Sequence, residues 1–193
     1  MWRHSRLILS LPSSFKTLVV LVFLLFISST VYADVCVWRN PERTMIKIFP
    51  DAGDYKTITK IISEEKRKII EERLGEKLAP GESKDWIYYE ITGSKSETLG
   101  YIIADAEKCE YGVIEIVMGI STDGKVKGVY IQRSSEKEKE FKSREFLEQF
   151  IGKTINDPVQ MGGDIKAESQ SIAVKAVILG VRKMLIFYDE LGK

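Results

Sequence analysis

Between Asp85 and Gln132, apolar and polar side chains alternate in short runs broken by turn residues, the period of half-buried strands. "DWIYYEIT" (85–92) is rich in aromatic and β-branched residues, and "GSKS" turns it into "ETLGYIIADA" (97–106). "GVIEIVMGIS" (112–121) sets Val113, Glu115 and Val117 against Ile114, Ile116 and Met118. "TDG" then leads into a fourth run, "KVKGVYIQ" (125–132). Four runs joined by turns this tight predict an antiparallel sheet with at least one covered face.

On both sides of these runs the spacing becomes helical. "NPERTMIKIFP" predicts a short helix, with Asn40 as N-cap, Pro41 at the first helical position and Pro50 as the stop. Met45, Ile46 and Phe49 mark its inner side. "YKTITKIISEEKRKIIEERLGEKL" (55–78) predicts a longer amphipathic helix, with Ile58, Ile61, Ile62, Ile69, Ile70 and Leu74 near helical spacing and Gly75 as its end. Ser63 offers a second cap that would divide it into two helices. After the sheet, Glu136–Glu140 reads as a charged loop, and Ser143–Ile151 as a helix with Phe146, Leu147 and Phe150 inward, ended by Gly152. "INDPVQMGGD" is a turn-rich connection, and Ser171–Leu191 a well-buried final helix. The expected fold class is α+β, an antiparallel sheet flanked by helices.

The first 33 residues are of another kind. Arg3, Arg6 and Lys16 precede an apolar run from Leu18 to Ile27, and Val31 and Ala33 supply a small-residue exit, as in a secretory signal. The run is short for a membrane span of about 20 residues. Cleavage is therefore the first reading and an uncleaved anchor the second. Residues 34–193 are then one domain, expected in the periplasm or on the extracytoplasmic face of the membrane.

Removing the three cations of the signal takes the formal net charge from +1 to −2. Charges of both signs are interspersed, with no basic field of the kind that binds nucleic acid. The single histidine, His4, lies in the signal, so the remaining chain lacks the side chain needed for Ser-His-Asp or Cys-His catalysis and for histidine-bound haem or zinc. Cys36 and Cys109 either pair as one disulfide in an oxidising compartment or stay as two buried thiols.

Few residues suggest chemistry. The acids and lysines of 136–140 read as a solvated surface, and Trp86, Tyr88, Tyr89 and Tyr101 as cross-strand packing before a stacking platform for a flat ligand. The stretch "GGDIKAESQSIAVKAV" (162–177) is better placed. Glycines before a helix let the backbone approach a ligand, and the helix start offers unpaired N–H groups at a positive dipole end. Gly162, Gly163, Asp164, Lys166, Ser169 and Ser171 could form such an anion-holding turn. The plainer reading is that Ser169 or Ser171 caps the last helix and the glycines form a loop. Glu168 suits the helix dipole but opposes a phosphate.

The order of "GYIIADA", "IEIVMGISTDGKVKGVYI", "REFLEQFIGKTINDP" and "DIKAESQSIAVKAV" resembles the FMN-binding domain family, small flavin domains that also occur in the RnfG and NqrC subunits of membrane redox complexes. The resemblance runs from about Arg39 to Leu191. It implies an exported α+β domain that holds FMN and passes electrons to membrane or periplasmic redox proteins rather than turning over its own substrate; no metal-binding residues are expected. In many members the flavin phosphate is esterified to a threonine in a Ser-Gly-Ala-Thr turn opening the last helix. Here Ala167 matches the alanine, Ser171 the later serine, and Glu168 falls on the threonine position. A one-residue shift leaves Ser169 as the sole hydroxyl for covalent attachment, so non-covalent FMN is favoured. The family's glycine-rich loop before "FLEQF" is replaced by "SEKEKEFKS". The alternative expectation is a flavin-free periplasmic interaction module that kept the fold and lost the site.

Overall fold

The computed structural model describes residues 41–192. Among them, the chain runs α1 (Pro41–Ile48), β1 (Ala52–Ile61), α2 (Glu64–Leu74), β2 (Asp85–Gly93), β3 (Thr98–Cys109), β4 (Gly112–Ser121), β5 (Val126–Arg133), a 3-10 turn (Glu140–Lys142), α3 (Arg144–Glu148) and α4 (Ile172–Leu191). The five strands pair antiparallel in chain order, β1-β2-β3-β4-β5. The architecture is α+β, one meandering sheet with helices on both faces. The signal reading for 1–33, the Asn40 cap and Cys36 with its disulfide pairing lie outside the described residues.

Each face of the sheet has its own core. On one, α4 lies across β3 and β4 and buries Val174, Val177, Val181, Met184 and Leu185 against Ile103, Ile114, Ile116 and Met118. On the other, Met45, Ile48 and Phe49 of α1 pack on Ile91, Ile102 and Val117. Period two along β4 therefore sends apolar side chains to both sides, which is why its run is apolar almost throughout. Two close approaches depend on glycine. A Cβ at Gly119 would stand 2.2 Å from Ile48 Cγ2, and one at Gly180 would stand 2.6 Å from Ile116 Cδ1. Trp86 stacks on Tyr88 at 4.4 Å, and Tyr101 meets Tyr188 of α4 at 5.5 Å. These aromatics are core packing between sheet and helix.

The long helix expected over 55–78 is corrected. Its first half is β1, paired Tyr55↔Ile91, Thr57↔Tyr89 and Thr59↔Ile87, so the sheet has five strands and not four. Ile58, Ile61 and Ile62 imitate a helical face, but Ile61 is 85 % exposed. The run Thr57–Ile58–Thr59 is β-branched at three successive positions, which favours the pleated surface once β2 offers a partner. Ser63 is the cap of the true helix: its hydroxyl accepts the Lys66 N–H, and Gly75 closes the far end at φ 83°. The helix expected over Ser143–Ile151 is also shorter, a single turn capped by Ser143. Among the described residues, no helix is long and apolar enough to cross a membrane.

Candidate functional site

The connection from Gly152 to Ser171 folds back beside α3 and the 3-10 turn before α4 begins. Its first part is closed on itself. Gly162, at φ 76°, donates its N–H to Ile165 O, and Gly163 donates to Gln160 O. Ile165 is fully buried and anchors this loop, while Asp164 pairs with Lys153 at 2.5 Å. Lys166 is held through its backbone: its N–H donates to Gln149 Oε1, and its carbonyl accepts from Gln149 Nε2.

The second part carries the main observation. Glu140 reaches across from the 3-10 turn and accepts the Glu168 N–H at 2.6 Å on one carboxylate oxygen and the Ser169 N–H at 2.7 Å on the other. Two successive backbone donors thus grip one carboxylate, the arrangement such a pair would offer a phosphate. Glu138 accepts the Ser171 hydroxyl at 3.0 Å. Ser171 is the N-cap of α4, its Oγ accepting the Val174 N–H, and Ser169 Oγ accepts the Ser171 N–H. The positive end of α4 is thereby served by acids of the chain itself. Glu136, nine-tenths buried, accepts the Tyr111 N–H at 2.7 Å.

The acids of 136–140 are consequently not the partnerless surface charges expected from the sequence. Glu136, Glu138 and Glu140 each bond a specific donor, and the last two bond the turn at 168–171. No local signal marks these contacts, since the bonded donors lie between 25 and 33 residues away along the chain. The fold brings Lys166, Ala167 and Glu168 to the wall of a cleft of about 580 Å³, shared with Lys139, Glu140, Phe146 and Gln149. It places Gly162, Gly163 and Asp164 in a separate loop, and uses Ser169 and Ser171 as cap and turn residues.

Such a turn does not fit a phosphate as it stands. Glu140 already occupies both N–H groups, and one of the two donor residues, Glu168, itself carries a carboxylate. Among the described residues, no cluster of His, Cys, Asp and Glu is arranged to hold a metal ion.

No family model matches the chain, and no curated protein matches it in sequence. Among solved structures it is similar to the crystal structure of Shewanella oneidensis NqrC, at 14 % identity and a TM-score of 0.46, over 81 % of this chain and 86 % of that one. At that distance the likeness carries no functional argument.

Proposed function

We propose that the chain is an extracytoplasmic domain of the FMN-binding type that works without flavin, as an interaction module whose phosphate turn is filled from within. One observation carries this reading: the Glu140 carboxylate accepts both the Glu168 and Ser169 N–H groups. A phosphate would have to displace it and then sit beside Glu140 and Glu168. Hydrogen bonds to a charged group contribute about 1.5–3 kcal/mol each, the lower end applying at this partly exposed site. Displacement therefore costs about 3 kcal/mol, roughly a hundredfold in affinity. Covalent attachment also has no threonine here, and Ser169 Oγ is engaged by the Ser171 N–H.

A second reading, a non-covalent FMN electron carrier, is favoured by the cleft beside this turn, which Lys139 and Lys166 help to line. FMN titration followed by quenching of flavin fluorescence separates the two. The filled-turn reading expects no saturable quenching with the wild-type chain at micromolar FMN. It also expects inorganic phosphate or FMN to gain affinity in Glu140→Ala. Saturable micromolar binding by the wild type would establish the carrier reading instead.

A further inference from the structure

Beneath α4, on the face of the sheet away from α1, ionisable side chains from three parts of the chain meet around one lysine. Lys183 is 5 % exposed, and its Nζ lies 2.7 Å from Glu82 Oε1, 2.8 Å from Glu107 Oε1 and 3.0 Å from Asp105 Oδ1. Only the contact to Glu82 is a hydrogen bond; those to Asp105 and Glu107 are ion pairs. Asp105 and Glu107 stand two residues apart on β3 and so share a face. Asp105 Oδ2 and Glu107 Oε1 are both buried with no hydrogen-bond partner. One ammonium against three carboxylates leaves two surplus negative charges where water is scarce. The least costly remedy is one proton held between Asp105 and Glu107, which also offers the unpartnered carboxylate oxygens a hydrogen bond.

Glu82 is different from the other two acids. Its side chain is 30 % exposed, against 10 % for Asp105 and 12 % for Glu107. It belongs to the segment between α2 and β2, where its Oε2 also accepts the Ala79 N–H and its own N–H donates to Ala79 O. Through Lys183 this local turn is fastened to α4.

We propose that the cluster is a proton-linked latch: while Asp105 and Glu107 share one proton, Lys183 holds Glu82 and the 75–84 segment on α4, and loss of that proton releases Glu82. Once both buried acids are ionised, three carboxylates compete for one ammonium, and Glu82 alone has solvent within reach. Burial, followed by the neighbouring Asp105 charge, pushes the Glu107 carboxyl up to about 8, which sets the range in which release occurs. Burial raises Asp105 as well. Two residues on from Glu107, on the same face of β3, is Cys109, with Glu136 beyond it; Lys108 takes the opposite face. Burial and the charges of Glu136 and Glu107 push the Cys109 thiol up to about 11, so it stays neutral across the range. From β4 the cluster's neighbour is apolar, Ile116 against Gly180.

Hydrogen exchange of the full chain, read by mass spectrometry from about pH 6 to about pH 9.5 and corrected for intrinsic rates, tests the latch. Protection of peptides covering 75–84 is expected to fall about tenfold across this range, while β3 and β4 keep theirs. Glu107→Gln, which keeps a donor towards Asp105 but cannot ionise, is expected to hold the segment protected throughout. Protection independent of pH in the wild type, or the same loss in Glu107→Gln, overturns the proposal. Should that variant fail to fold, infrared spectroscopy of the wild type decides. The carbonyl stretch of a protonated carboxylic acid, expected at neutral pH and lost above about pH 9, would sink the latch by its absence at neutral pH.

Discussion

Glu140 is the residue on which the functional reading turns. Its carboxylate replaces water at two backbone donors, and nothing in the local sequence announces this, since the contact spans 28 and 29 residues. Glu140→Ala leaves the Glu168 and Ser169 N–H groups to solvent, and with two bonds at the lower end of the range the loss is expected to be about 3 kcal/mol. For a domain of this size that lowers Tm by roughly 6–12 °C in calorimetry. An unchanged Tm would mean that the carboxylate adds nothing to the turn. Glu107 gives a second residue-scale expectation. Its folded carboxyl titrates at about 8, against an ordinary value of 4.5. The folded chain therefore holds a proton that the unfolded chain releases between those values. Stability is highest near the ordinary carboxyl range and falls by a few kcal/mol as pH rises to about 8, then levels. Asp123, pushed down to about 2 by Lys125 and Ser121, and Glu190, lowered by Lys66, act in the opposite sense and withdraw stability on acidification. Thermal denaturation is expected to peak between about pH 4 and pH 6, and Glu107→Gln to flatten the decline above it.

At the scale of elements, the strands were legible because alternation, β-branching and tight turns all agree from Asp85 to Arg133. The final helix was legible for a similar reason, with Ser171 capping a dense apolar set. The first half of 55–78 was not, because Ile58, Ile61 and Ile62 satisfy helical spacing by accident of a strand followed by a cap. Only the pairing with β2, a non-local contact, decides the matter. A substitution pair checks it. Ile61→Thr, at a position 85 % exposed, is expected to change stability by less than about 0.5 kcal/mol, whereas Ile62→Ala, at 7 %, costs about 2 kcal/mol or more in urea denaturation. Equal costs would return Ile61 to the core and restore the helix. Gly180→Ala sets two effects against each other. Alanine gains up to about 1 kcal/mol as a helix former, but its Cβ would stand 2.6 Å from Ile116 Cδ1 and 3.1 Å from Asp105 Oδ2. Overpacking of about 1–3 kcal/mol wins, so net destabilisation is expected.

At the scale of the whole molecule, fold and site diverge in how far the sequence could reach them. An antiparallel sheet under a long C-terminal helix follows from local pattern. The turn at 168–171 was legible as a place, through its position before that helix. Its occupant was not, because it comes from the charged loop that alternation marked as surface. Glu168 and the glycine-free 135–143 loop, read separately as departures from the flavin-family pattern, are joined by the fold into one arrangement: acids from the loop serve the donors of the turn. The most direct measurement is the visible absorption spectrum of the full chain co-expressed with a flavin transferase, recorded before and after denaturation. A filled turn predicts a colourless protein that stays colourless with added FMN. A yellow protein, above all one whose flavin stays with the denatured chain, would contradict it.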